Sequence, residues 1–288
     1  MPDISYDTWQ IPGRDLVTFG HNTTTVYGLI STSDLDGREF TSGRLNGGFD
    51  GGSDLPSFAA PKGWVTQVDL SAADADDWQT LRNNLMAATA VAELGEYTIH
   101  REDDVWTVFA KVSDRAIPRD EASDVRHYGI ASISFDAADP IAYGPTTTET
   151  FTGSSDSELI DSAGWVDSYR WKWVVPGPVT NPQISSSVDA SAVIRYVGTV
   201  PDNSNLVVEL FPRGSSPGYY AKVVTDAALA NYATTGVGTA AYGNLDGGAA
   251  APARPPQWFP ISGGEQTITY AAASGTAGST FVWRPGFG

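Results

Sequence analysis

The chain has 288 residues, no cysteine and a formal charge of −17, set by 34 acidic against 17 basic side chains. That balance argues against a protein that wraps nucleic acid, which needs clustered lysine and arginine to neutralise phosphates, and the missing thiols exclude disulfides, thiolate metal centres and cysteine nucleophiles. With 41% hydrophobic residues, 30 glycines and 18 prolines, the composition predicts turn-rich β structure, a proper core and a length suited to two domains.

No run reaches the roughly 18 apolar residues of a membrane helix, and the opening Met1-Pro-Asp-Ile-Ser-Tyr-Asp7 lacks the basic and apolar regions of an export signal. The expectation is a soluble protein, without membrane insertion and without an export signal of its own; the redox compartment stays open. The charge is uneven: residues 1–145 carry 10 basic and 23 acidic side chains, net −13, and the remainder 7 and 11, net −4. One reading is a solvated acidic surface; the other is an acidic face that repels passing DNA.

Val26-Tyr-Gly-Leu-Ile30 reads as a short strand, followed by the turn-like Asp34-Leu-Asp-Gly37 and a glycine-rich loop from Gly43 to Ser53. Trp64-Val-Thr-Gln-Val-Asp-Leu70 alternates apolar and polar residues, the period of a half-buried strand. A helix comes next, with Ser71 as its cap, Asp74, Asp76 and Asp77 at the positive end of its dipole, and Ala75, Trp78, Leu81 and Leu85 forming an apolar stripe. Gly95 lies beyond its end.

Tyr97–His100 and Val105–Val112 flank the polar loop Arg101–Asp104 as a hairpin, and His127–Phe135 continues the alternation until Asp139-Pro140 stops it. The segment from Thr146 to Ser155 reads as either a linker or an exposed edge strand. Beyond it, Tyr169–Val175, Ala192–Val197 and Leu206–Leu210 are strand-like, Gly177–Pro182 turns, and Gln266–Tyr270 with Thr280–Trp283 resembles the closing pair of a sandwich. Val237–Ala253 reads as a long exposed loop.

The search for chemistry yields no catalytic, cofactor or metal residue, and the chain is read as no enzyme. His21, His100 and His127 form no HxxxH or HxH pair, and no nucleophile elbow or phosphate-binding glycine motif occurs. Asn46–Asp54 and Asp34-x-Asp36-Gly37 are incomplete calcium patterns, read as loops. Paired carboxylates for glycoside hydrolysis stay open because their separation is spatial. Trp165, Trp171, Trp173, Trp258 and Trp283 are assigned to core packing ahead of sugar contact. Asp136 and Asp139 are assigned to ending a strand and shaping a turn.

Several segments, taken in order, resemble the distal tail (Dit-like) proteins of long-tailed phages, called minor tail proteins in actinobacteriophages. They are Ser132–Tyr143 as a domain boundary, Gly177–Ile184 as the lead-in to a C-terminal sandwich, and Gln257–Tyr270 with Val282-Trp-Arg284 as its final hairpin and terminal strand. The resemblance implies a mainly β protein with one main helix: a ring-forming β domain with a packed helix over 1–145, a connecting segment over 146–180 and a galectin-like sandwich over 181–288. It implies six copies in a ring at the distal end of the virion tail, around the DNA channel, made in the host cytoplasm. The partners implied are itself, the tail tube, tape measure and tail hub proteins and other tail-tip or receptor-binding proteins, with no stable nucleic-acid binding. The rival reading is a secreted carbohydrate-binding or glycan-degrading sandwich.

Overall fold

The computed structural model describes residues 6–20, 27–32, 40–41, 58–59, 62–91, 93–101, 104–137, 139, 141–189, 192–210, 219–230, 237–248, 255–275 and 278–287. The protein is mainly β and divides into two compact units, Met1–Ala142 with Gly288, and Tyr143–Phe287.

In the first unit the elements are β1 (Tyr6–Gln10), β2 (Val17–Gly20), β3 (Tyr27–Thr32), the short β4 (Phe40–Thr41) and β5 (Phe58–Ala59), β6 (Lys62–Ser71), α1 (Ala75–Ala88), β7 (Leu94–Arg101), β8 (Asp104–Ala116), α2 (Glu121–Arg126) and β9 (Tyr128–Ala137). The strands run in the order β8-β7-β1-β2-β3-β6-β9, and β8 also pairs with β9, so the sheet closes on itself. Closure removes the unpaired edges that an open sheet would present. Every pairing is antiparallel except β2 with β3.

Aromatic side chains fill the interior. Phe135 lies 4.9 Å from the rings of both Trp9 and Tyr97 and stacks on Trp64 at 5.3 Å. Gly95 belongs to β7 because of this core. A side chain there would put its Cβ 2.5 Å from the Trp9 ring, so only glycine lets the indole lie across the strand.

The helix begins later than the sequence suggests. Ser71 continues the β6 ladder opposite Tyr128, which already occupies its backbone, and Asp74 is the cap, accepting from the Asp77 amide at 2.9 Å. Trp78, Leu81 and Leu85 are buried as expected, whereas Ala75 is exposed and Ala88 completes the stripe. A second helix, α2, escaped the sequence reading: none of its six residues is buried, so it leaves no hydrophobic period. His127 is its left-handed C-cap (φ 48°), not the first residue of a strand. The hairpin turn is also tighter than Arg101–Asp104, because those two residues pair with each other.

After β10 (Ala142–Tyr143), the second unit contains β11 (Thr147–Phe151), β12 (Ser155–Ser162), β13 (Trp171–Pro176), β14 (Val179–Thr180), β15 (Gln183–Ser186), β16 (Val193–Tyr196), β17 (Thr199–Val200), β18 (Ser204–Leu210), β19 (Tyr219–Thr225), β20 (Thr239–Ala240), β21 (Leu245–Asp246), β22 (Gly264–Ala271), β23 (Ser279–Trp283) and β24 (Gly286–Phe287). One sheet runs β11-β23-β13-β18-β19-β20 and the other β12-β22-β15-β16-β21. Their inward residues, among them Phe151, Trp171, Trp173 and Phe281 from the first sheet and Ile184, Ile194, Ile268 and Tyr270 from the second, form one core. This is a β-sandwich.

Three sequence expectations change here. Residues 146–180 are no connector: β11 and β12 pair with β23 and β22, and β13 lies between β18 and β23. The polar residues of β11 and β12 belong to edge strands with one wet face, which is why that stretch reads as a linker. Gln257–Tyr270 holds one strand, β22, and no hairpin, and the closing strands β22 and β23 do not pair with each other; they lie in opposite sheets, each beside a strand from the start of the unit. The described part of Val237–Ala253 is no simple loop, because β20 and β21 extend the two sheets, and Ala241, Leu245 and Asp246 are buried.

Candidate functional site

Among the described residues, several titratable groups are bonded within the two cores. Inside the barrel, the Tyr97 hydroxyl donates to Asp7 Oδ2 at 2.7 Å and lies 3.0 Å from Thr66 Oγ1, and all three residues are fully buried. In the sandwich, Arg195 Nε donates to Asp246 Oδ1 at 2.8 Å. That hydrogen bond, opposed by burial, holds the Asp246 carboxyl below its usual range. Burial raises the Tyr27 and Tyr270 hydroxyls to about 12, so both stay neutral in ordinary conditions.

The C-terminal end of α1 gathers several polar contacts. An α-helix leaves its last four carbonyls without intrahelical partners, and the last turn of α1 has no basic residue of its own. Distant residues supply the donors: Arg115 reaches the Met86 and Thr89 carbonyls, Arg14 reaches Ala87 at 2.7 Å, and the Trp9 indole reaches Ala88 at 2.9 Å. Arg14 also pairs with Glu93. At the other end of α1, Asp124 of α2 accepts from the Trp78 indole at 2.9 Å and pairs with Arg82. Nothing in the sequence signals these contacts, because the partners of each bond lie between 26 and 79 positions apart.

The residues weighed for chemistry stay apart. His100 stacks on Tyr6 with ring centroids 4.2 Å apart, and His127 caps α2; His21 and both calcium-like stretches, 34–37 and 46–54, lie outside the described residues. Among the described residues no group of three or more His, Asp or Glu is arranged to hold a metal. Asp136 is the exposed penultimate residue of β9, whereas Asp139 accepts from the Ile141 amide at 3.2 Å and so shapes the turn.

Surfaces are more informative than clefts. Trp171, Trp173 and Trp283 are buried, and Trp258 packs partly buried against the same core, leaving Trp165 as the exposed member of the five at 66%. Gly164 and Gly286 let the backbone approach closely beneath it: a Cβ on Gly164 would lie 2.5 Å from the Gly286 carbonyl oxygen. The Trp165 amide donates to that oxygen at 3.0 Å, and the indole meets Phe287 edge-on at 4.9 Å. In the first unit, the exposed large apolar residues among those described are Leu16, Val91, Val125, Tyr128 and Ile130.

A closed antiparallel-rich barrel with a helix seated on it, followed by a two-sheet sandwich, defines a two-unit β protein. Known structures share this architecture over almost their whole length. The Dit protein of phage SPP1, described as a paradigm of the hub adsorption apparatus of phages infecting Gram-positive bacteria, is similar at 13% identity, with 98% of this chain and 99% of that one covered and a TM-score of 0.56. The baseplate of phage P2 in its activated conformation with calcium contains a similar chain at 9% identity, covering 99% and 98%, with a TM-score of 0.57. The strontium form is similar at 8% identity, covering 96% and 97%, with a TM-score of 0.56. No family model and no curated protein sequence matches the chain. The protein therefore has a Dit-like fold.

Proposed function

We propose that this protein is a structural component of a phage tail tip, in which six copies form a ring joining the tail tube to the tail hub around the DNA channel. The observation that carries the reading is likeness over both units in the same order, since a single barrel or sandwich would be shared with many unrelated proteins. The SPP1 chain is covered at 99%, so barrel, division and sandwich are matched together. In this reading the barrel unit builds the ring, and the galectin-like sandwich docks other tail-tip or receptor-binding proteins, with the tape measure protein as a further neighbour.

The net charge of −13 over residues 1–145 suits a channel lining that releases DNA, because phosphates are repelled by carboxylates. Native mass measurement and particle imaging of the protein, alone and with its tube and hub proteins, test the proposal. A closed ring of six is the expected result, and a protein that stays monomeric with every tail partner present would overturn it. The rival reading rests on Trp165, whose exposed indole offers a face for a sugar ring. Polysaccharide binding that disappears in Trp165→Ala would favour it.

A further inference from the structure

The geometry points to a binding site for one water molecule inside the sandwich core, held between the Gln266 amide and the Trp283 indole. Tyr270 of β22 meets Phe151 and Trp173 with ring centroids 6.0 and 6.2 Å apart, and both partners also reach Ser279 of β23, Phe151 as its ladder partner and Trp173 by its indole hydrogen bond. Tyr270 and Ser279 therefore stand at one level of the two facing sheets. Inward residues recur at every second position of a strand: Ile268 and then Gln266 on β22, Phe281 and then Trp283 on β23. Both series lead away from the turn that joins β11 to β12. Gln266 and Trp283 thus face each other across sheets about 10 Å apart.

Both side chains are almost wholly buried, at 2% and 4% exposure, and neither Gln266 Nε2 nor Trp283 Nε1 has a hydrogen-bond partner among the described residues. The Gln266 amide is not free to turn over. Its Oε1 accepts from the Ser262 amide at 3.2 Å, and a flip would set two donors against each other. A buried N–H that gives up its hydration without a new acceptor is costly and rare in folded proteins; one water accepts from both nitrogens. A buried water makes about three hydrogen bonds, and β11 and β12 supply acceptors for its own hydrogens. Ser162 follows Ile160, the ladder partner of Gln266, on the inner row of β12. Glu149 and Glu158 lie half-buried on the inner rows, one inward step closer to the turn. The same carboxylates select water over an anion, which would take both donors but meet like charge.

The site lies within the sandwich unit, so its test is separate from that of the ring. A crystal structure of the full-length protein, at a resolution that shows ordered water, should place one oxygen about 2.9 Å from both Gln266 Nε2 and Trp283 Nε1. A second crystal soaked in bromide tests for an anion through its anomalous signal, and none is expected at this position. Denaturant unfolding of Gln266→Met and Trp283→Phe, singly and together, gives an independent reading. Each removes one donor to the shared water, so the double variant should have an unfolding constant about fivefold smaller than the two single effects multiplied together. A dry core, bromide in the site, a separate water on each nitrogen or single effects that simply multiply would overturn the inference. Where a variant fails to fold, the crystal structure of the unaltered protein decides.

Discussion

The barrel and the sandwich solve the same problem in different ways. Every open sheet ends in strands whose free backbone groups invite another chain. In the barrel β8 meets β9 and completes the circuit. The sandwich keeps four edges and blunts each one. β20 and β21 are only two residues long. β11 and β12 are longer, and each carries a half-buried glutamate on its core-facing side: Glu149 opposite the buried Phe281, and Glu158 opposite the buried Ile268. An inward charge at an edge is tolerated while water reaches it and is penalised once another strand covers it.

The comparison can be broken at the cores first. Trp173 is fully buried in the sandwich and its indole donates to Ser279 at 3.1 Å; Trp173→Ala should cost about 3–5 kcal/mol, read by denaturant unfolding. If the two units are separate cores, near-ultraviolet signals of the barrel should survive that loss. Gly95→Ala strikes the barrel instead. Its new Cβ would need the Trp9 ring to move, and overpacking of this kind costs about 1–3 kcal/mol.

A smaller effect follows from Asp246. The Arg195 hydrogen bond lowers its folded-state pKa, so its contribution to stability is present above the unfolded value of about 4 and is lost as pH falls through the folded one. Asp246→Asn should therefore cost ~1.5 kcal/mol at neutral pH and flatten that part of the acid limb of the stability curve; an unchanged limb would remove the assignment. Least costly to stability is Glu149→Val combined with Glu158→Val. Monomer stability should change by under about 1 kcal/mol, while light scattering should reveal self-association through the unguarded edges. A variant that stays dispersed at high concentration would show that the glutamates guard nothing.

Sequence patterning read single elements well where one face is buried. β6 was legible because Trp64, Thr66, Val68 and Leu70 point inward at alternate positions, and α1 because Trp78, Leu81 and Leu85 repeat at helical spacing. α2 was invisible for the opposite reason: with no buried residue it has no period. The segment from Thr146 to Ser155 read as linker or edge strand, and it contains β11 and the start of β12. The site contacts were not legible at all, because Arg14, Arg115 and Trp9 act on helix carbonyls that chain spacing does not connect to them.

By itself the sequence determined the β character, the main helix and its buried face, the lack of thiol chemistry and the acidic bias of the first half, since each depends on composition or on short-range periodicity. Only the tertiary structure decided that one sheet closes and the other two stack, that β22 and β23 part company into opposite sheets, and that distant arginines gather at one end of α1. Those outcomes depend on which long-range pairs bury the most surface and satisfy the most backbone groups, and local pattern carries no record of that choice.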